Sequence, residues 1–238
     1  MEFRSPNFDC RPVGADIDTL VLHHTNMIDA DSAMQRLCNP EFKVSCHYLI
    51  SKSGCVIPLV EEKYRAWHAG LSCWRGRSAV NDFSLGVELD NAGNEIFPEE
   101  QINALIALCK EIFARHRIVN VVSHAEIAPT RKDDPNYLFP WDILATNKIG
   151  IFPPNISSTD SLNLIWRYGD KDHEIATLQE KLVKYGFCLN ITGEFDLLTK
   201  QVVTAFNRRF NPQAFIQGNA ECWSVAADNA LEFLLKRD

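Results

Sequence analysis

Seven histidines occur in the chain: His23, His24, His47, His68, His116, His124 and His173. Three of them stand at the ends of short apolar runs. His23 closes the run in TLVLHH (19–24), His47 opens HYLIS (47–51), and His124 follows Val119–Val122. Strand ends and the loops beyond them are where α/β folds place their sites. After His124 comes a loop, His124-Ala-Glu-Ile-Ala-Pro-Thr-Arg-Lys-Asp-Asp134-Pro, with three acids and two cations. Zinc takes imidazole nitrogen and carboxylate oxygen, and a catalytic zinc keeps one position open for water. His23, His124 and one loop carboxylate would make such a three-ligand site. Spacing does not choose between Asp133 and Asp134, and a solvated charged loop is the competing interpretation.

Glu88 is a second anomaly. It interrupts the apolar run Leu85-Gly86-Val87-Glu88-Leu89. Alternation puts it on the face of Gly86, opposite Leu85, Val87 and Leu89. A strand-borne carboxylate at a cleft can act as a general base. A third cluster is Trp67-His68-Ala69-Gly70, followed by Trp74, Arg75, Gly76 and Arg77. Aromatic and small residues with arginines suit a groove for sugars or peptide carboxylates, which makes Trp67, His68 and Arg77 candidate substrate contacts.

The elements that would carry these residues follow from periodicity. TLVLHH (19–24), HYLIS (47–51), CVIPLV (55–60), SLGVEL (84–89) and 119–122 read as strands, with Lys52-Ser53-Gly54 as a hairpin turn. Ile102, Leu105, Ile106, Cys109, Ile112 and Phe113 recur at helical spacing, and Pro98 suits that helix's first turn. Strands mixed with long helices indicate an α/β class, a sheet with helices packed on it. Residues 150–165 begin with a Pro-, Ser- and Asn-rich run that reads as a linker. From 166 to 238, three apolar stripes predict a small three-helix domain: Ile175, Leu178, Leu182 and Tyr185; Val202, Val203, Ala205, Phe206 and Phe210; Ala227, Ala230, Leu231 and Leu234.

The 238 residues carry 24 basic and 31 acidic side chains, a net charge of −7. That balance gives no electrostatic case for binding nucleic acid. No run approaches the roughly 20 apolar residues of a membrane span, and the first 20 residues lack a signal peptide's apolar core, so a cytoplasmic protein is expected. Export to the periplasm or cell envelope by another route is the alternative. Eight cysteines without a Cys-x-x-Cys pair are expected to be reduced and mostly buried.

Five segments occur in the order of a known family: VLHHT (21–25), VSCHYLISKSG (44–54), RAWHAG (65–70), NDFSLGVEL (81–89) and SHAEIAPTRKDDP (123–135). Together they resemble the type 2, zinc-dependent N-acetylmuramoyl-L-alanine amidases, across about residues 19–145. The resemblance implies a mixed central sheet flanked by helices, with residues 1–149 as the catalytic domain. It implies one zinc per chain, held by His23, His124 and Asp134. It implies Glu88 as the catalytic carboxylate and Lys132 as the cation at the reacting oxygen. The substrate class it implies is peptidoglycan or its muropeptide fragments, cut between N-acetylmuramic acid and L-alanine. All the zinc and catalytic positions are filled, which weighs against the other possibility, a recognition protein that binds without cutting. Residues 166–238 resemble a three-helix peptidoglycan-binding domain.

Overall fold

The computed structural model describes residues 5–154 and 159–237. The elements run β1 (Phe8–Cys10), β2 (Thr19–His24), α1 (Ala30–Cys38), β3 (Tyr48–Ile50), β4 (Val56–Pro58) and β5 (Tyr64–Ala66). They continue with β6 (Cys73–Trp74), β7 (Arg77–Ser78), β8 (Ser84–Leu89), α2 (Glu99–Arg115), β9 (Asn120–Ser123), α3 (His124–Ile127) and α4 (Trp141–Thr146). The last are β10 (Leu164–Trp166), α5 (His173–Tyr185), α6 (Leu197–Phe210), α7 (Gln213–Ile216), β11 (Trp223–Ser224) and α8 (Val225–Leu235).

The fold is the expected α/β class. A five-stranded mixed sheet has the order β4-β3-β8-β2-β9. β3, β8, β2 and β9 run parallel, and β4 closes the edge antiparallel to β3. That edge is the expected hairpin, turned at Gly54, whose φ of 82° favours glycine. Leu20, Leu22, Leu85, Val87 and Leu89 are buried, as are Ile102, Leu105, Cys109 and Ile112 of α2. Pro98 is the N-cap of α2 rather than a residue of its first turn. α1 packs Ala33 and Leu37 against Cys46, Leu49 and Leu59, and it begins at Asp29, whose side chain accepts from the Ser32 N–H at 2.8 Å.

The chain divides into two compact units. The first comprises 1–72, 79–124 and 134–150 and holds the five-stranded sheet. The second comprises 73–78, 125–133 and 151–238, so it takes in the β6–β7 hairpin and a stretch after β9 as well as the C-terminal helices. The hairpin's Trp74 stacks edge-on against Tyr185 and Phe187, which explains that grouping. The three apolar stripes become α5, α6 and α8, joined by the one-turn α7. Side-chain caps start each long helix: Asp172, Asp196 and Ser224 accept from the N–H groups of Glu174, Thr199 and Ala227. Part of the expected linker belongs to this unit. Ser161 is buried and donates to Asn211 Oδ1 at 2.7 Å, and β10 pairs with β11; residues 155–158 lie outside the described set.

The cysteines depart from expectation. Cys73 and Cys188 form a disulfide across 115 residues, and of the six free thiols only Cys46 and Cys109 are buried. The β6–β7 hairpin carries Cys73 to the segment after α5, a meeting that spacing could not foretell. Cys188→Ser is expected to lower unfolding free energy by about 2–5 kcal/mol in urea titration. A wild-type curve unmoved by reductant would contradict that.

Candidate active site

The parallel register aligns the chemistry. His23 on β2 is level with Glu88 on β8. Leu22 is level with Ser123 on β9, so the next residue, His124, comes up beside His23. Register partners on parallel strands project to the same face. Glu88, His23 and His124 therefore form a row across three neighbouring strands. Asp134 arrives from the loop and completes a triangle. His23 Nδ1 lies 2.9 Å from His124 Nδ1 and 3.0 Å from Asp134 Oδ2, and His124 Nδ1 lies 3.1 Å from that same oxygen.

The three candidate donor atoms belong to buried residues and lie within 4.8 Å of one another. Two imidazole nitrogens and one carboxylate oxygen are the donor set of a catalytic zinc. Zinc bonds of about 2.0–2.1 Å in tetrahedral array place donors roughly 3.3 Å apart, close to this triangle. The outer nitrogens fit as well. His124 Nε2 donates to the Ala69 carbonyl at 3.2 Å, which leaves Nδ1 with its lone pair inward. Burial raises the Asp134 pKa, but His124 and His23 outweigh it through charge and hydrogen bonds and hold the carboxyl well below the usual range. The donor set thus fits a divalent cation.

The path of the loop chooses between the two aspartates. Asp134 is 7% exposed, whereas Asp133 faces solvent. The peptide bond Asp134–Pro135 is cis. The next residue, Asn136, donates its N–H to His24 Nδ1 at 3.1 Å, and its Nδ2 donates to Asn91 Oδ1 at 3.2 Å. His23 and His24 point to opposite faces by strand alternation. His23 places Nδ1 in the triangle with Asp134, and His24 bonds the loop that carries Asp134. Sequence reasoning gives His24, Asn91 and Asn136 no role; the signal available is the doubled histidine in a buried strand.

The other expected residues fall differently. Glu88 is half-buried in the row. His68 is 7% exposed, and its Nδ1 lies 3.0 Å from His23 Nε2, so its ring packs behind His23. Burial, then the neighbouring His23 and His47, keeps its pKa well below the ordinary value. His47 is outside the triangle; burial, then Arg11, holds its pKa at about 3, and its Nδ1 accepts from the Gly86 N–H at 3.0 Å. Trp67 is half-buried, with its backbone N–H donating to Ser45 Oγ at 2.9 Å. Arg77 is exposed on the β6–β7 hairpin. Lys132 is exposed and lines a cleft of about 250 Å³ with Asp133, Lys200, Thr204, Arg208 and Glu221, all within the second unit.

Residues 13–137 match the family described as N-acetylmuramoyl-L-alanine amidase. The chain belongs to that family. The amidase is 37% identical over 235 residues to N-acetylmuramoyl-L-alanine amidase AmiD of Escherichia coli, covering 90% of this chain and 82% of the relative. It is 33% identical over 156 residues to 1,6-anhydro-N-acetylmuramyl-L-alanine amidase AmpD of Citrobacter freundii, covering 58% of this chain and 83% of that one. Two solved structures resemble nearly the whole amidase. One is E. coli AmiD with anhydro-N-acetylmuramic acid-L-Ala-D-gamma-Glu-L-Lys, at TM-score 0.77 and 33% identity over 95% of this chain and 92% of the other. The other is Pseudomonas aeruginosa AmpDH3 with an anhydromuramic pentapeptide, at TM-score 0.77 and 28% identity over 95% and 94%. No helix among the described residues is long and apolar enough to cross a membrane.

Proposed function

We propose that this amidase is a zinc hydrolase that cuts the amide between N-acetylmuramic acid, or its 1,6-anhydro form, and L-alanine in peptidoglycan fragments. The observation that carries this is the buried His23–His124–Asp134 triangle, set beside Glu88 on the same sheet face. Bound there, zinc supplies a Lewis acid and lowers the pKa of water to about 7. Glu88 takes the proton from the attacking water and returns it to the departing alanine nitrogen. Lys132 precedes Asp134 by two residues, and its ammonium offsets the negative charge that develops on the carbonyl oxygen. Trp67 and Arg77 are the proposed substrate contacts, an aromatic surface for sugar or peptide and a cation for a stem-peptide carboxylate.

Residues 166–238 are proposed as a wall-binding module, on the strength of the relatives' matching length and the three-helix pattern. The Cys73–Cys188 disulfide favours an oxidising compartment such as the periplasm over the cytoplasm, because disulfides persist where thiols are not kept reduced.

The proposal is tested by metal analysis. Wild-type protein is expected to hold stoichiometric zinc and to lose amide cleavage on chelation. His23→Ala is expected to hold none. Full zinc occupancy in His23→Ala, or cleavage that a chelator leaves untouched, would contradict the assignment.

A further inference from the structure

We infer that His68 and Ser84 form a positioning relay that fixes His23 in the one tautomer able to bind metal through Nδ1. The inference rests on the reading that His23, His124 and Asp134 hold the metal.

His23 turns Nδ1 toward His124 and Asp134. For that nitrogen to offer a lone pair, the proton of the neutral ring must sit on Nε2. His23 is fully buried, so the Nε2 proton needs a protein acceptor. The atom facing it is His68 Nδ1, at 3.0 Å. His68 then carries its own proton on Nε2, where Ser84 Oγ stands at 3.2 Å to accept it. The opposite arrangement defeats the site. A proton on His68 Nδ1 would be donated to His23 Nε2, and would drive the His23 proton onto Nδ1, into the ligand triangle.

The strand that carries Glu88 also builds the seat for this relay. Ser84, Gly86 and Glu88 share one face of β8 by alternation. Ser84 is fully buried and receives the relay. Gly86 leaves the space that the His68 ring fills: a Cβ there would lie 2.4 Å from His68 Cγ. The φ of Gly86 is not positive, so the glycine answers a packing need and not a backbone one. The three residues supply, in order, an acceptor for the relay, room for its ring and the candidate general base.

Outer partners of metal-bound histidines typically change metal affinity by about 10–100-fold when removed. The test is zinc affinity of the full chain, measured by competition with a chromophoric chelator. His68→Leu is expected to weaken binding by about 10–100-fold. His68→Asn, whose Oδ1 can take the place of Nδ1 as acceptor, is expected to recover much of that loss, which a role limited to filling space would not predict. Ser84→Ala is expected to show a smaller loss. Nitrogen-15 NMR of the zinc-loaded wild type needs no variant to fold, and is expected to find protons on Nε2 of both His23 and His68. Unchanged affinity in a folded His68→Leu, or a proton on His68 Nδ1 in the wild type, would overturn the relay. Failure of the wild type to bind zinc at all is a different result, and overturns the metal reading itself.

Discussion

Glu88→Gln is expected to keep the zinc proposed for this site and to lose turnover by about 10²–10⁴-fold, the usual worth of a positioned general acid–base. Glutamine keeps the shape of the side chain and removes the proton acceptor. The register supports a clean result. Glu88 is level with His23 but contributes no atom to the ligand triangle, so the change leaves the donors in place. The readouts are zinc content and rate of amide cleavage, taken on the same preparation. Loss of zinc along with activity would make Glu88 a support of the metal site instead of a base. Retained activity would remove it from the chemistry.

Glu126→Ala is expected to destabilise the protein by about 3–5 kcal/mol, the cost of stripping one partner from a buried ion pair. Glu126 is fully buried and Arg209 is 3% exposed at the side chain. Arg209 Nη1 donates to both Glu126 carboxylate oxygens, at 2.9 and 3.2 Å, and the Tyr185 hydroxyl donates to Oε1 at 3.1 Å. Arg209 Nη2 also donates to the Ile151 carbonyl at 3.3 Å. One carboxylate thus ties the stretch after β9 to α5 and α6 inside the second unit. With alanine at 126, Arg209 stays in a dry site without its counter-charge. Replacing both partners by apolar residues of similar volume is expected to recover most of the loss, since such exchanges are often neutral or stabilising. Urea unfolding measures both variants. A loss below about 1 kcal/mol for Glu126→Ala would place the pair at the level of a surface ion pair.

The loop from His124 to Asp134 shows what can and cannot be read from the sequence. Strand ends, and a carboxylate that interrupts an apolar run, are local patterns, so the residue order by itself marks His23, His124 and Glu88 as candidates. The choice between Asp133 and Asp134 turns on which of two adjacent side chains the loop buries. The loop is held there by long-range contacts, among them Asn136 bonding to His24, 112 residues earlier in the chain. His68 reads as part of a groove because tryptophan, glycine and arginines surround it in the sequence. Its real setting is made by Gly86 and Ser84, on a strand more than a dozen residues on. The stripes of α5, α6 and α8 are legible because helix packing repeats every three to four residues, and Ile175, Leu182, Val203, Phe206, Ala227 and Leu231 are all buried. The Cys73–Cys188 pair leaves no trace in spacing, and nor does the grouping of 73–78 and 125–133 with the C-terminal helices. Both depend on long-range packing, such as Trp74 against Tyr185 and Phe187.

Cleavage at the muramoyl–alanine amide is measured most directly by mass spectrometry of the products that purified, zinc-loaded protein releases from a soluble anhydro-muropeptide. A free peptide beginning at L-alanine and an intact anhydro-muramic acid sugar are expected, with both absent after chelation. Unchanged muropeptide in the presence of bound zinc, or cleavage at a peptide bond within the stem, would contradict that.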